Sequence, residues 1–170
     1  MVAATIRSGT VADARAIATV HVASWRWAYR GALPDDLLDD LSVEEREPGW
    51  RSVLDDGATI TLVAVRGDHV VGFANGGASR DDDAEASIGE ILSIYVTQQE
   101  AGAGTGRALL VAIQYGLRGR GFEGATLWVL ETNARARTFY ERQGWAWDGS
   151  RADHQVQCAN RPIVRHATEL

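Results

Sequence analysis

The chain contains no lysine. All 17 of its Lys and Arg positions are arginine, set against 23 Asp and Glu, which leaves a formal charge of −6 over 170 residues. Without a lysine amine there is no P-loop nucleotide hydrolysis, no kinase-type lysine and no Schiff base to a pyridoxal group. Without a basic excess there is no field to hold nucleic acid. One cysteine, Cys158, rules out an internal disulfide. No apolar run approaches the roughly 20 residues that a bilayer-spanning helix needs. Met1 to Gly9 lacks a long apolar core and carries Arg7, unlike a secretory leader. Together these features predict a cytoplasmic protein with neither nucleic-acid nor membrane partners. Repeats, low-complexity tracts and linkers are also missing, and a hydrophobic content of 45% suits one domain spanning 1–170.

What stands out is a run of alternating glycines, Gly102, Gly104 and Gly106, placed where an apolar extended segment gives way to a helical pattern. A helix start presents N–H groups without internal partners, and glycine lets a ligand come close to them. A phosphate or pyrophosphate suits such a turn, although a plain glycine-rich turn has the same look. The spacing fits neither G-x-G-x-x-G register, because Arg107 or Leu109 falls in the last slot. The remaining reading is a loop that holds phosphate through backbone amides.

Around this loop the pattern alternates between strand and helix. Val2 to Arg7 reads as a strand, and Thr10 to Asp13 as a variant capping box opening a helix to about Tyr29. Helical pieces follow over 35–41 and 43–54, divided near Ser42 and disturbed at Pro48-Gly49. Strands are expected over 59–66, 70–78, 88–96 and 125–130, with helices over 104–118 and 133–143 between and after the last two. Short strands at 145–147 and 163–166 close the sheet, and Gly149 to Arg161 reads as a loop. The strand–helix–strand succession from 88 to 130 favours a parallel pair within an otherwise hairpin-connected, mixed α/β sheet.

Two blocks carry a family resemblance. Ile94-Tyr95-Val96 followed by Gly102-Ala103-Gly104-Thr105-Gly106-Arg107-Ala108-Leu109-Leu110 resembles the acetyl-CoA signature of the GNAT superfamily of N-acetyltransferases. Downstream, Asn133, then Phe139-Tyr140, then Gly144-Trp145 resembles the second motif of the same superfamily, in the same order and separation. The opening Ile6-Arg7 before an Asp-Ala helix start is also typical, so the resemblance covers nearly the whole chain. One slot departs from it: the Gln or Arg usual five residues before the last glycine is Ala101 here, with Gln98 and Gln99 out of register. The resemblance implies a GNAT fold, with a mixed sheet of about seven strands, splayed central parallel strands and about four flanking helices. It also implies acetyl-CoA as donor cosubstrate and an amine of a small molecule or peptide as acceptor. A noncatalytic acyl-CoA-binding module is the alternative.

Direct amine attack on a thioester needs a held donor, an oxyanion partner, a base and an acid. The resemblance assigns Gly102, Ala103, Gly104, Thr105, Gly106 and Arg107 to the diphosphate and Ile94, Tyr95 and Val96 to the pantetheine arm. The oxyanion donor would be a backbone N–H near Ile94. Asn133 caps the next helix and adds a contact to that arm. Tyr140, two turns further on the same face, becomes the acid for the departing thiolate. Some relatives carry a glutamate on the strand after the phosphate helix, but Leu127-Trp128-Val129 has no acid, so Glu90 is the candidate base. Glu90 is equally readable as an arginine-paired or edge-exposed residue. His21 is a weaker base candidate, and His154 is expected in a loop. Trp25 and Tyr29 wall an acceptor pocket, with Trp27 on another face. The acidic groups 35–40 and 81–85 are solvated surface that can also steer a cationic amine. His154 and Cys158 have metal-like spacing, but two ligands do not make a zinc site, so no metal is assigned. A homodimer is the commonest symmetric outcome.

Overall fold

The computed structural model describes residues 3–156 and 159–170. Seven strands form one sheet in the order β1-β2-β3-β4-β5-β7-β6. They are β1 (Thr5–Ser8), β2 (Ile60–Arg66), β3 (His69–Ala78), β4 (Ile88–Val96), β5 (Gly124–Leu130), β6 (Ala146–Val156) and β7 (Ala159–Glu169). Among the described residues five α-helices accompany them: α1 (Ala14–Ala28), α2 (Asp35–Asp39), α3 (Val43–Asp56), α4 (Thr105–Gly119) and α5 (Ala134–Glu141). Among the described residues no helix is long and apolar enough to cross a membrane. The expected mixed α/β architecture of about seven strands is therefore present.

Local chemistry accounts for the boundaries. Thr10 donates its N–H and hydroxyl to Asp13 (2.8 and 3.0 Å), and Arg7 grips both oxygens of the same carboxylate at 2.8 Å. Ser42 caps α3 by accepting the Glu45 N–H at 3.3 Å. Pro48 does not break that helix, which runs continuously to Asp56; the residue is exposed, so water can satisfy the carbonyl its ring leaves unpartnered. A larger departure is the segment from Gly149 to Arg161, expected as a loop. Its described residues, 149–156 and 159–161, lie in the antiparallel strands β6 and β7, with Arg151 opposite Val164 and Asp153 opposite Pro162. Its register is irregular between Trp147 and Arg151, and the β6 residues from Ala146 to Gly149 and from Arg151 to His154 are exposed. An edge strand exposed in this way has no apolar alternation to announce it.

Strand alternation directs side chains to two separate cores. On one face Leu109, Leu110, Ile113 and Leu117 of α4 pack on Ala74, Ile91, Leu127 and Val129. On the other, Ala14, Ile17, Ala18 and Val20 of α1 and Trp50 of α3 pack on Val63 and Phe73.

The feature that makes a site is the parallel strand pair, single among the described residues. β4 and β5 are matched from Ile88–Gly124 to Ile91–Leu127, and there the pairing stops although both strands continue. At the same level β4 carries a bulge: Asn75 faces Ser93 but Gly76 faces Ile91, leaving Leu92 extra. A bulge bends its strand and sharpens the local twist, which turns β4 away from β5. Gly76 permits it, since a Cβ there would lie 2.8 Å from the Glu90 carbonyl oxygen.

Candidate active site

A cavity of about 730 Å³ fills the gap between the parted strands. Ile91 to Val96 form one wall and Leu127 to Leu130 the other; α1 closes one side and α5 the opposite one.

The glycine loop lies at one end of the cavity. Gly102 and Gly104 have φ of +81° and +87°, and nothing stands within 4 Å of where a Cβ would project. The left-handed backbone at Gly104 leads directly into α4, whose first intrahelical bond is Ala108 N–H to Gly104 O at 3.0 Å. The N–H groups of Thr105, Gly106 and Arg107 precede that bond, so they form a concentrated donor set at the positive end of a 15-residue helix. Such a cradle fits a diphosphate. Two of the expected contributors are already engaged in part: the Ala103 N–H donates to Glu100 O (3.1 Å), and the Thr105 hydroxyl donates to the Glu100 carboxylate.

Glu100 is a residue that the loop pattern does not announce. It is buried, and Arg66 at the end of β2 holds it bidentately through Nε and Nη2 at 2.7 and 2.8 Å. The Arg66 hydrogen bonds, then the Thr105 hydroxyl, keep its carboxyl below the usual range. The signal available in the sequence is an acid beside a phosphate loop, which cannot stay there without a neutralising partner.

Deeper in, Tyr140 is 8% exposed and lines the cavity with Asn133, two turns away on α5. The Asn133 side chain caps α5 by accepting the Ala136 N–H at 3.1 Å. Burial raises the Tyr140 hydroxyl above its ordinary range, helped by nearby Tyr95, so it stays a neutral donor. The hydroxyls of Tyr29 and Tyr95 lie 3.4 Å apart and face each other. Ser24 of α1 donates to the Val96 carbonyl at 2.9 Å, which ties α1 to the end of β4 where β5 has departed.

Glu90 lies on β4 facing away from Ile91, 3% exposed. Its oxygens accept from the backbone N–H and Nε of Arg80 (3.0 and 3.3 Å) and from its Nη2 (3.2 Å). Two readings of Glu90 therefore meet: it is arginine-paired and it lines the cavity.

Residues 20–145 match the Acetyltransferase (GNAT) family. The chain belongs to this family. An uncharacterized N-acetyltransferase of Bacillus subtilis (strain 168), YuaI, is 36% identical over 132 residues, covering 76% of this chain and 73% of that one. An aminoglycoside N(6')-acetyltransferase type 1 of Stenotrophomonas maltophilia is 34% identical over 122 residues, covering 70% and 71%. The PaiA N-acetyltransferase of Thermoplasma acidophilum, solved with coenzyme A, shares the fold at a TM-score of 0.74 and 17% identity, covering 99% of this chain and all of that one.

Within the GNAT frame several expectations need correcting. Trp25 and Tyr29 do line the cavity, but so does Trp27, expected on another face; Arg135 of α5 stacks over it at 4.5 Å. His154 lies on β6 and lines the cavity, while Cys158 lies outside the described residues. The acidic loop is tied down: Arg165 binds Asp81 (3.0 Å) and Asp83 (2.6 and 2.8 Å), and the Trp128 indole donates to Asp81 at 2.9 Å. Asp35 and Asp39 are likewise paired with Arg30. These four carboxylates offer an incoming amine little free charge, whereas Asp36, Asp40, Asp82 and Glu85 make no ion pair among the described residues.

His21 is not among the residues lining the cavity. It stacks on Tyr95 at 5.4 Å, and its Nδ1 accepts the Trp50 indole N–H at 3.1 Å. Burial, then Arg46, lowers its pKa to about 4. A folded pKa below the unfolded value of about 6.5 means that the unfolded chain binds the extra proton. The stabilisation is therefore complete above pH 6.5 and lost as pH falls toward 4. Denaturant titrations are expected to show a loss of about 2–3 kcal/mol across that window, since a tenfold change in proton affinity is worth about 1.4 kcal/mol. A His21→Leu variant should lack this slope; an unchanged slope would assign the effect to other groups.

Proposed function

We propose that the protein transfers the acetyl group of acetyl-CoA to a primary amine by direct attack in a ternary complex. The observation carrying this reading is the cavity between β4 and β5, with a phosphate cradle at one end and, inside it, the hydroxyl of buried Tyr140, unengaged among the described residues. Acetyl-CoA supplies the activated acetyl thioester. Gly102, Ala103, Gly104, Thr105, Gly106 and Arg107 hold its diphosphate, chiefly through the free N–H groups at the start of α4. Ile94, Tyr95 and Val96 pair with the pantetheine arm as an added strand would, and Asn133 contacts it from α5. A main-chain N–H of β4 near Ile94, beyond the bulge, stabilises charge on the carbonyl oxygen.

Glu90 takes the proton that the amine nitrogen loses as the N–C bond forms. Tyr140 donates to the sulfur as the C–S bond breaks, and solvent exchange returns the phenol to its protonated form. Trp25 and Tyr29 wall the acceptor side.

Thiol release from acetyl-CoA across a panel of amines, with the acetylated product identified by mass spectrometry, tests this reading. Amine-dependent release with matching product supports it. Coenzyme A binding without release from any amine would reduce the protein to an acyl-CoA-binding module.

A further inference from the structure

Resting on the transferase reading, we propose that the acceptor is a zwitterionic α-amino acid with an apolar side chain. Arg80 receives its carboxylate, and Glu90 faces its amine.

The two ion pairs of the cavity differ in kind. Arg66 and Glu100 meet at 2.7 and 2.8 Å, the short range of a fully formed charge-assisted pair. The Arg80 guanidinium meets Glu90 at 3.2 and 3.3 Å, looser at both contacts. The Arg80 side chain is 71% exposed against 4% for Glu90, and Arg80 Nη1 makes no hydrogen bond among the described residues. A buried carboxylate thus sits beneath a guanidinium with donors to spare. An adjacent positive and negative pair complements a head group carrying a carboxylate and an amine a few ångströms apart.

The rest of the cavity points the same way. Its only lining carboxylates among the described residues are Glu90 and Glu100, each held by an arginine, while Arg80, Arg107 and Arg135 also line it. The neighbouring Asp81 and Asp83 are bound by Arg165. A polycationic amine finds no carboxylate here free of an arginine, whereas an acceptor bringing its own carboxylate meets the spare donor of Arg80. Elsewhere in the cavity lining, Trp25, Tyr29, Leu33 and Trp128 offer apolar surface for a side chain. The chemistry is unchanged once the zwitterion's ammonium has given one proton to solvent: nitrogen bonds to the acetyl carbon, the C–S bond breaks, the second nitrogen proton passes to Glu90, and the sulfur takes the Tyr140 proton and leaves as the thiol.

The test uses probes differing only in the carboxylate, L-tryptophan with tryptamine and L-leucine with isoamylamine, plus spermidine as a polycation. Values of kcat/KM are read for the wild type and Arg80→Gln, and calorimetry measures L-tryptophan and tryptamine binding to the coenzyme A-saturated protein. Expected is at least a tenfold preference for each amino acid over its decarboxylated partner and over spermidine. In Arg80→Gln that preference should collapse toward one, with partial recovery in Arg80→Lys. Equal or better use of tryptamine or spermidine, or an Arg80→Gln preference like the wild type's, overturns the proposal. So does failure of both amino acids to bind or react. Preferential L-tryptophan binding without thiol release would leave the amino-acid site at Arg80 and Glu90 standing and sink the transferase reading instead.

Discussion

Replacing Tyr140 with phenylalanine is expected to lower kcat by about 100-fold or more, the ordinary contribution of a positioned general acid. The dissociation constant for acetyl-CoA should change by less than threefold. Three tyrosines line the cavity, and two are mutually engaged, Tyr29 and Tyr95 with hydroxyls 3.4 Å apart. Tyr140 makes no side-chain hydrogen bond within the described residues, so its O–H is available to a ligand. Phenylalanine keeps the ring and its packing beside Phe139 and Trp145. Because no protein group loses a partner, the stability change should stay under about 1 kcal/mol. Burial raises the phenol's pKa, which fixes the sign of the pH dependence: Tyr140 stays protonated and competent up to and beyond pH 10, its ordinary midpoint. The kcat profile should therefore show no descending limb from this group below about pH 10. Steady-state kinetics with any accepted amine, alongside calorimetry with acetyl-CoA, check both halves. A kcat within threefold of wild type would remove Tyr140 from the chemistry.

Legibility in the sequence follows burial. β4 is readable at its observed bounds because a half-buried strand flanked by turns carries a strong apolar signal. The motif residues Gly102, Gly104, Gly106, Arg107, Asn133 and Tyr140 line one cavity. What escapes reading depends on contacts distant in sequence. Arg80 and Glu90 sit on either side of a hairpin connection, Arg66 and Glu100 are 34 residues apart, and Ser24 reaches Val96 across 72. Nothing in local periodicity couples such positions. Trp27 is misplaced by helical phase alone, which ignores that α5 approaches α1 and presents Arg135 to its ring. The β6–β7 hairpin escapes because exposed polar residues satisfy a strand's geometry without displaying its period.

Replacing Glu100 with alanine is expected to damage both the fold and the cradle. The carboxylate is buried and joins three places: Arg66 at the end of β2, the turn entering the glycine loop, and Thr105 at the start of α4. Removing one partner of a buried pair costs about 3–5 kcal/mol, reduced to about 2–3 here because Arg66 keeps some contact with water. At about 2–4 °C per kcal/mol for a chain of this length, the midpoint of thermal unfolding should fall by about 5–10 °C. The loop, freed at both ends, should bind coenzyme A at least tenfold more weakly. Glu100→Gln separates geometry from charge. It can still accept the Thr105 hydroxyl, and it removes a negative charge beside the expected diphosphate, so coenzyme A affinity should stay within threefold of wild type or improve at low salt. The lowered pKa of Glu100 adds a pH signature: its stabilisation is complete above the unfolded carboxylate value of about 4.3 and is lost as pH falls through the folded one. That acid-sensitive component should be missing from the alanine variant. Calorimetry with coenzyme A on the two variants decides the matter: weakened binding in alanine alone identifies the hydrogen-bonding side chain at position 100, not its charge, as the fixture that holds the loop. Equal affinity in wild type and both variants would mean that the backbone amides set their own arrangement unaided.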